Sequence, residues 1–507
     1  MSDGSPGGAP PPGAGPGQAP AGDRPVSLGG RTALVTAGQS IAKVADLLVA
    51  ALLVRILSPA DWATMALLLS IYSVAIGLGG MNLQQGIYFF YGRLPAERRR
   101  NLAVQTTGLL ALTGLAAALL ILALDPLLAD SPFRVSGLLP WLALTVLLEV
   151  PSLGSPQILI AAERVGASAG FLAATSLLRV LAVTLPIGLG FGLRGAALGL
   201  VAYAAIKLVG SAALLFWVTP PGAIRLDPGS IREQVRYTLP LGFSLATTLI
   251  NRDVGKWMVA GLQPLSLGAY AIAATEVPLI PILPYAIGAV LATRLVAAFH
   301  SGRTGVAHSY WLAAAARASL IVLPAVVGII LCAPQLLVLL FTRSYVDAVL
   351  PFQVFTLILL HRVTEYGGIL RAAGDTRGLW LASLVLLGGN VVISLPLTLA
   401  FGMVGTAAGA VAANLLSWAF ALVRIARVVQ LPLREVFPWA VYLRVLAVAA
   451  GAAAVTALAG VAPGGPLLQL AARGGLFILL FLGGVRLFRL HQRLPRVPAD
   501  AATARSS

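Results

Sequence analysis

Cysteine, lysine, histidine and acidic residues are all scarce in this chain of 507 residues. The single cysteine, Cys332, excludes an internal disulfide framework and any cysteine-cluster metal site. The four histidines, His300, His308, His361 and His491, form no ligand-spaced pair on one helix. No Gly-x-x-x-x-Gly-Lys loop occurs, so ATP hydrolysis by that route is excluded. Charged residues make up only 10% of the chain, against about 25% in soluble globular proteins. Such a chain cannot cover a water-facing surface with charge.

What it has instead is apolar length. Hydrophobic residues are 58% of the total and the mean hydropathy is +0.90. Runs of about 20 apolar residues recur, the length that crosses a bilayer as a helix. The pattern predicts an all-α polytopic membrane protein with fourteen spans: 32–56, 61–81, 102–124, 137–158, 167–190, 195–217, 238–261, 268–293, 310–332, 350–372, 379–401, 405–427, 440–461 and 468–488. Residues 1–30 are rich in Pro, Gly and Ala and read as a flexible tail without a signal peptide. The polar stretch from Leu490 onward reads as a second tail.

Arginine sets the orientation. Arg93, Arg98, Arg99, Arg100, Arg164, Arg225, Arg232, Arg236, Arg303, Arg377, Arg427, Arg434, Arg489, Arg493 and Arg496 fall in loops on one side. The other side has little beyond Arg55, Arg134, Arg194 and Arg343. The positive-inside rule then places both termini in the cytoplasm. The formal charge of +17 is topology, and no nucleic-acid partner is expected.

The chain also repeats itself. "FGLRGAALGLVAYAA" (191–205) matches "FGMVGTAAGAVAANL" (401–415) at an offset of 210, and "ILSPADWATMA" (56–66) faintly matches "AGLQPLSLGAYA" (260–271). The sixth span thus corresponds to the twelfth, and the first to the seventh. A parallel duplication predicts an N-lobe over 31–218, a linker at 219–236, a C-lobe over 237–430 and two further helices over 431–489. Two such lobes make a V around a central cavity, a transporter architecture.

Charges at membrane depth mark the cavity. Each costs about 2.5–3.5 kcal/mol, whereas a leucine offsets about 0.3–0.6. The seventh span carries Arg252, Asp253 and Lys256, with Arg252 and Lys256 one turn apart and Asp253 about 100° away, too far round to neutralise both. Others are Lys43 and Asp46, Glu149 before Pro151, Arg179, Lys207, Glu276, Arg317, and the set His361, Arg362 and Glu365. All three lysines of the chain, Lys43, Lys207 and Lys256, are mid-membrane. An ammonium binds phosphate as a compact point charge, so an anion-binding, hydrated cavity follows. The competing account makes these groups structural pairs: Lys43–Asp46, Glu149–Arg179 and Arg362–Glu365. Pro278, Pro281 and Pro284 are expected to break the eighth span.

With these features, "RILSPADWATMALLLSIYSVAIGLG" and "LRAAGDTRGLW" resemble the Wzx-type oligosaccharide flippases. These belong to the multidrug/oligosaccharidyl-lipid/polysaccharide exporter superfamily. The resemblance covers about residues 31–490. It implies transfer of undecaprenyl-diphosphate-linked oligosaccharide across the bacterial inner membrane, with proton or sodium coupling and no other cofactor, alongside a polysaccharide polymerase or chain-length regulator. On that reading Lys43, Arg179, Lys207, Arg252, Lys256 and Arg362 meet the diphosphate, and Asp46, Asp253, Glu276 or Glu365 titrates during resetting. Two other readings compete. A drug exporter for organic cations needs an acidic, aromatic cavity. A membrane polymerase or ligase needs a sizeable outer loop, and the longest here, 333–349, is short.

Overall fold

The computed structural model describes residues 44–45, 47–133, 135–275, 279–460 and 463–495, and every regular element among them is helical. Among the described residues ten helices are long and apolar enough to cross a membrane, so the count of fourteen is not confirmed. The physical reasons differ from span to span. Of the first span, Leu47–Ile56 (α1) is described as an apolar helix. The fourth is retained among the ten as Leu139–Ala161, although a 3-10 turn after Glu149 divides it into α5 (Leu139–Glu149) and α6 (Ser155–Ala161). The seventh, α9 (Pro228–Leu262), is too polar for a membrane run because it holds its three charges at depth. The eighth divides into α10 (Leu267–Ala273) and α11 (Leu279–His300); Pro281 and Pro284 fall inside α11, and Pro278 lies outside the described residues. The eleventh and twelfth run as one element, α15 (Thr376–Val429), broken only at Gly402.

Local chemistry sets the helix starts. Ser58 caps α2 (Pro59–Gly80), accepting from the Asp61 N–H at 3.2 Å, and Pro59 occupies the first turn, where its missing N–H costs nothing. Met81 and Asn82, both left-handed at φ 42° and 54°, end α2; α3 (Gly86–Phe90) then carries the chain onward. Asp227 caps α9 through the Gly229 and Ser230 N–H groups, each at 3.1 Å.

Up to Val218 the bundle consists of α2, α4 (Ala96–Leu128), α5, α6, α7 (Val165–Gly188) and α8 (Gly192–Val218), with α4 against α5 and α7 against α8. From Pro228, α9 packs along α15, and α12 (Thr304–Phe341) lies against α11, α13 (Val349–Thr356), α17 (Trp439–Leu458) and α18 (Pro466–Leu487). The tenth span is split between α13 and α14 (Tyr366–Ala372). The segment between α12 and α13 is a 3-10 turn rather than a loop with room for an outer domain. Leu490 is buried and Arg317 reaches the Pro495 carbonyl at 3.2 Å, so packing continues past the expected start of the tail. Leu177, Leu181 and Leu185, four residues apart on α7, form an exposed stripe of the kind that faces lipid.

The repeat has a geometric counterpart. Gly192 and Gly402, matched at the offset of 210, both take positive φ, 60° and 62°. A Cβ at Gly199 would strike the Ala182 backbone, and one at its match Gly409 would strike Ser394. Each pair of spans therefore turns at one glycine and, seven residues on, packs too closely at a second for any side chain. The fainter match also meets in space: Trp62 Nε1 donates to the Gly268 carbonyl at 2.9 Å.

One seam joins the two groups of helices. Along α2 and α3, Ser70, Ser73, Gly77, Met81, Gly86 and Phe89 meet Asp253, Arg252, Leu249, Gly242, Gln234 and Tyr237 in turn. From Ser70 to Gly86 the numbers rise on one side as they fall on the other, so α2 and α9 are antiparallel; the short α3 then turns Phe89 back to Tyr237. Small residues let the backbones approach, which is how helices associate where solvent supplies no hydrophobic drive.

Candidate functional site

Asp253 sits mid-seam and is fully buried. Lys256 Nζ lies 2.7 Å from Oδ1, Arg252 Nε 3.2 Å from Oδ2, and Ser70 Oγ donates to Oδ1 at 3.0 Å. Trp257 Nε1 in turn donates to Ser70 Oγ at 3.0 Å, and Arg252 also reaches Ser73. This corrects the sequence expectation that Asp253 cannot serve both cations. Lys256 is three residues on, within reach of one carboxylate oxygen, and the long Arg252 side chain folds back to the other. Two cations share one carboxylate, leaving one net positive charge at the seam. The Arg252 side chain is 47% exposed and that of Lys256 22%, so both heads can be approached while the acid cannot.

A second ion pair lies on the other flank of α2. Glu149, buried at the end of α5, takes Lys207 Nζ at 2.6 Å and the Tyr203 hydroxyl at 3.0 Å on Oε1. The Tyr72 hydroxyl donates to Oε2. Lys207 also stands 5.5 Å from the Tyr203 ring centre. The expected partner, Arg179, is not the one that Glu149 takes: Lys207 from α8 is, and Arg179 lies half-buried on α7. The Lys207 charge is thereby neutralised. Helix α2 serves both clusters, offering Ser70 and Ser73 to one and Tyr72 to the other.

The third group lies within the C-terminal helices. Glu365 pairs with Arg371, not with Arg362 as expected, because Arg371 lies on the α14 helix that Glu365 begins. His361, Arg362 and Glu365 line a cavity of about 340 Å³ between α14 and the two arms of α15. Lys43, Asp46 and Glu276, all expected at the site, lie outside the described residues.

Charge scanning missed a line of neutral groups. Asn390 Nδ2 on α15 donates to Asn251 Oδ1 at 3.0 Å, and Ser394 Oγ donates to Asn390 Oδ1 at 2.8 Å. Thr398 and Thr406 hydroxyls lie 2.8 Å apart. The buried ladder ties α9 to α15, one residue from Arg252. Its signal was the spacing of Asn390, Ser394 and Thr398, every fourth residue on an otherwise apolar helix. Ser70, Tyr72 and Tyr203 carried no comparable mark.

Two groups of apolar helices joined along the α2–α9 seam, with charges buried beside it, define a membrane transporter fold. The solved structures most informative here share it. The inward-closed conformation of the lipid II flippase MurJ matches with a TM-score of 0.73 at 14% identity, over 92% of this chain and 100% of that one. The inward-facing conformation of a multidrug resistance MATE family transporter of the MOP superfamily matches at 0.61 and 16%, over 78% and 99%. A MOP superfamily transporter from Pyrococcus furiosus matches at 0.55 and 16%, over 78% and 95%. No curated protein matches the sequence. Residues 29–296 match the family model described as "Polysaccharide biosynthesis protein", and the chain belongs to that family.

Proposed function

We propose that the chain flips a lipid-linked oligosaccharide, joined to its polyprenyl carrier through a diphosphate, from the cytoplasmic to the outer leaflet of the bacterial inner membrane. The observation that carries this reading is the shared carboxylate of Arg252 and Lys256. With one positive charge in excess and both heads approachable, the pair suits a diphosphate that replaces Asp253 as its partner. Arg179 and Arg362 are the other described cations assigned to the head group, and Lys207 joins them when it leaves Glu149. The α2–α9 seam parts, the head group enters, the two lobes rock, and the lipid tail stays in the bilayer. The arginine-rich side is the cytoplasmic one, so an interior-negative potential favours outward movement of the anion by about 2.3 kcal/mol per charge per 100 mV. Proton or sodium coupling through Asp253 or Glu365 would reset the cycle.

Support comes from the family, from the fold shared with a lipid II flippase, and from the sign of the charge. The MATE match favours the fold of a drug exporter, but a cavity for organic cations has no use for a basic seam. Arg252→Ala/Lys256→Ala in proteoliposomes tests the proposal, read as flipping of a fluorescent polyprenyl-diphosphate sugar. Flipping is expected to fall by about a hundredfold or more, the loss of two charge-assisted contacts of ~1.5–3 kcal/mol each. Unchanged flipping by correctly folded double variant overturns it.

A further inference from the structure

The cavity in the C-terminal helices is built where the tenth span breaks. A 3-10 turn follows α13, turns cover residues 361–364, and Glu365 has extended backbone at φ −88°, ψ 98° before α14 resumes. Broken helices survive at membrane depth where they line a polar space. Two regular stripes complete the walls: Leu379, Ser383 and Leu386 on one arm of α15, and Asn414, Ser417, Trp418 and Ala421 on the other. Glycine makes the room. A Cβ on Gly288 would meet Glu365 Oε2 at 2.8 Å, and one on Gly367 would meet Arg371 Nη1 at 3.2 Å.

The chemistry of the lining is mixed in a particular way. Tyr366 and Trp418 stand edge to face with ring centres 6.2 Å apart. Around them are one carboxylate, Glu365, one guanidinium, Arg362, the hydroxyls of Thr364, Ser383 and Ser417, and the amide of Asn414. Ser383, Ser417 and the Asn414 Nδ2 donate to backbone carbonyls of Leu379, Ala382 and Ala410, so the lining presents acceptor oxygens, and an acyl chain would set these and the Glu365 carboxylate against hydrocarbon. A bare anion would use Arg362 alone and leave the hydroxyls, the amide and the Glu365–Arg371 pair without a role, and a metal would need more than one carboxylate. A polyhydroxylated ring satisfies the set, with hydroxyls to the carboxylate and amide and its C–H face on an aromatic ring. The volume falls in the range of small-molecule sites, about 300–1,000 Å³.

Position relates this cavity to the seam. The stripe Leu379–Ser383–Leu386 continues on the same helix face to Asn390, which touches Asn251 beside Arg252. Seven residues separate Ser383 from Asn390, about 10 Å along a helix. We propose that this recess is a sugar-binding subsite for the oligosaccharide, with Glu365 and Asn414 as hydrogen-bonding partners and Trp418 as the stacking face. The assignment rests on the flippase reading for the identity of the larger ligand.

The test uses the full chain in lipid nanodiscs. Saturation-transfer NMR reads binding of free glucose, galactose, rhamnose, N-acetylglucosamine, N-acetylgalactosamine and glucuronic acid. Calorimetry separately reads inorganic pyrophosphate. At least one sugar is expected to bind, and Glu365→Gln and Ser417→Leu to weaken it about tenfold or more, as for one lost buried hydrogen bond, with pyrophosphate unaffected. Lys256→Ala is expected to do the reverse. Glu365→Gln is nearly isosteric, so it decides the matter if Ser417→Leu does not fold. No sugar bound by folded wild-type protein, or sugar binding unchanged in the folded pocket variants, overturns the subsite. Failure of pyrophosphate alone to bind removes the head-group site at the seam and leaves the sugar result standing by itself.

Discussion

Lys207 Nζ and Glu149 Oε1 lie 2.6 Å apart across the packing of α8 on α5, and both side chains are nearly sealed. Removing one partner of such a pair strands the other charge, at a cost of about 3–5 kcal/mol, whereas replacing both by apolar groups is often neutral. Lys207→Met should therefore lower the Tm in detergent markedly, and Lys207→Met/Glu149→Gln, which removes both charges but keeps an acceptor for the Tyr72 and Tyr203 hydroxyls, should recover most of the loss. Equal destabilisation by the single and double variants would show that the pair is not energetically coupled.

Gly242 tests the seam. A Cβ there would run into the Met81 carbonyl, a backbone atom that cannot swing aside. Gly242→Val should hold the two groups of helices apart on the arginine-rich side. Spin labels at Arg98→Cys and Arg236→Cys, both exposed, should report a longer distance in the variant. An unchanged distance distribution would mean that the helices approach by another route.

The two turn glycines separate strain from crowding. Gly192 has nothing within reach of an added Cβ, whereas Gly402 faces Gln263 Oε1 at 2.6 Å and has ψ −144°, a region nearly closed to other residues. Gly192→Ala should cost about 1–2 kcal/mol, the left-handed penalty alone. Gly402→Ala should cost more, up to about 3 kcal/mol. Thermal melts of the two variants side by side give the order.

Asp375 supplies a pH dependence outside the membrane-crossing segments. It caps α15 through the Gly378 N–H at 3.0 Å and receives Arg424 in two bonds of 2.6 and 2.9 Å. The Arg424 hydrogen bonds, helped by the Gly378 N–H and opposed by burial, hold its carboxyl below the usual range. A depressed folded pKa stabilises the protein above the unfolded value, and that stability is lost as pH falls through the folded one. Between neutral pH and ~5 the contribution should be constant, with loss only below ~4. Asp375→Asn should flatten that acid limb, as read by unfolding temperature against pH.

Much of this was visible in the composition. Apolar runs gave a helical membrane fold, and Phe-Gly-x-x-Gly gave the duplication, because a glycine turn and a tight crossing leave a direct mark on sequence. The charges were found as well, since a carboxylate or ammonium stands out against alanine and leucine. Their partners were not. Whether Glu149 meets Arg179 or Lys207 depends on which neighbouring helix presents its face, and periodicity within one span is silent about that. Asp253 escaped for a related reason: an angle on a helical wheel places a Cβ, while the reach of arginine spans several ångströms more. The Asn390–Thr406 ladder stayed hidden because amides and hydroxyls cost too little in a membrane to attract notice.

The ladder fixes which way α9 travels. Bound to α15 through Asn251 and Asn390, and to α2 through Ser70, Ser73, close glycine contacts and apolar packing, α9 would stay with its own half if the molecule opens as proposed. The guanidinium and ammonium would then move with that half, and parting from Ser70 and Ser73 would expose them further. On the proposed flipping cycle, recognition would be timed by this geometry: the basic pair would be most available while the seam is open, and covered again by the Ser70 and Ser73 hydroxyls when it shuts.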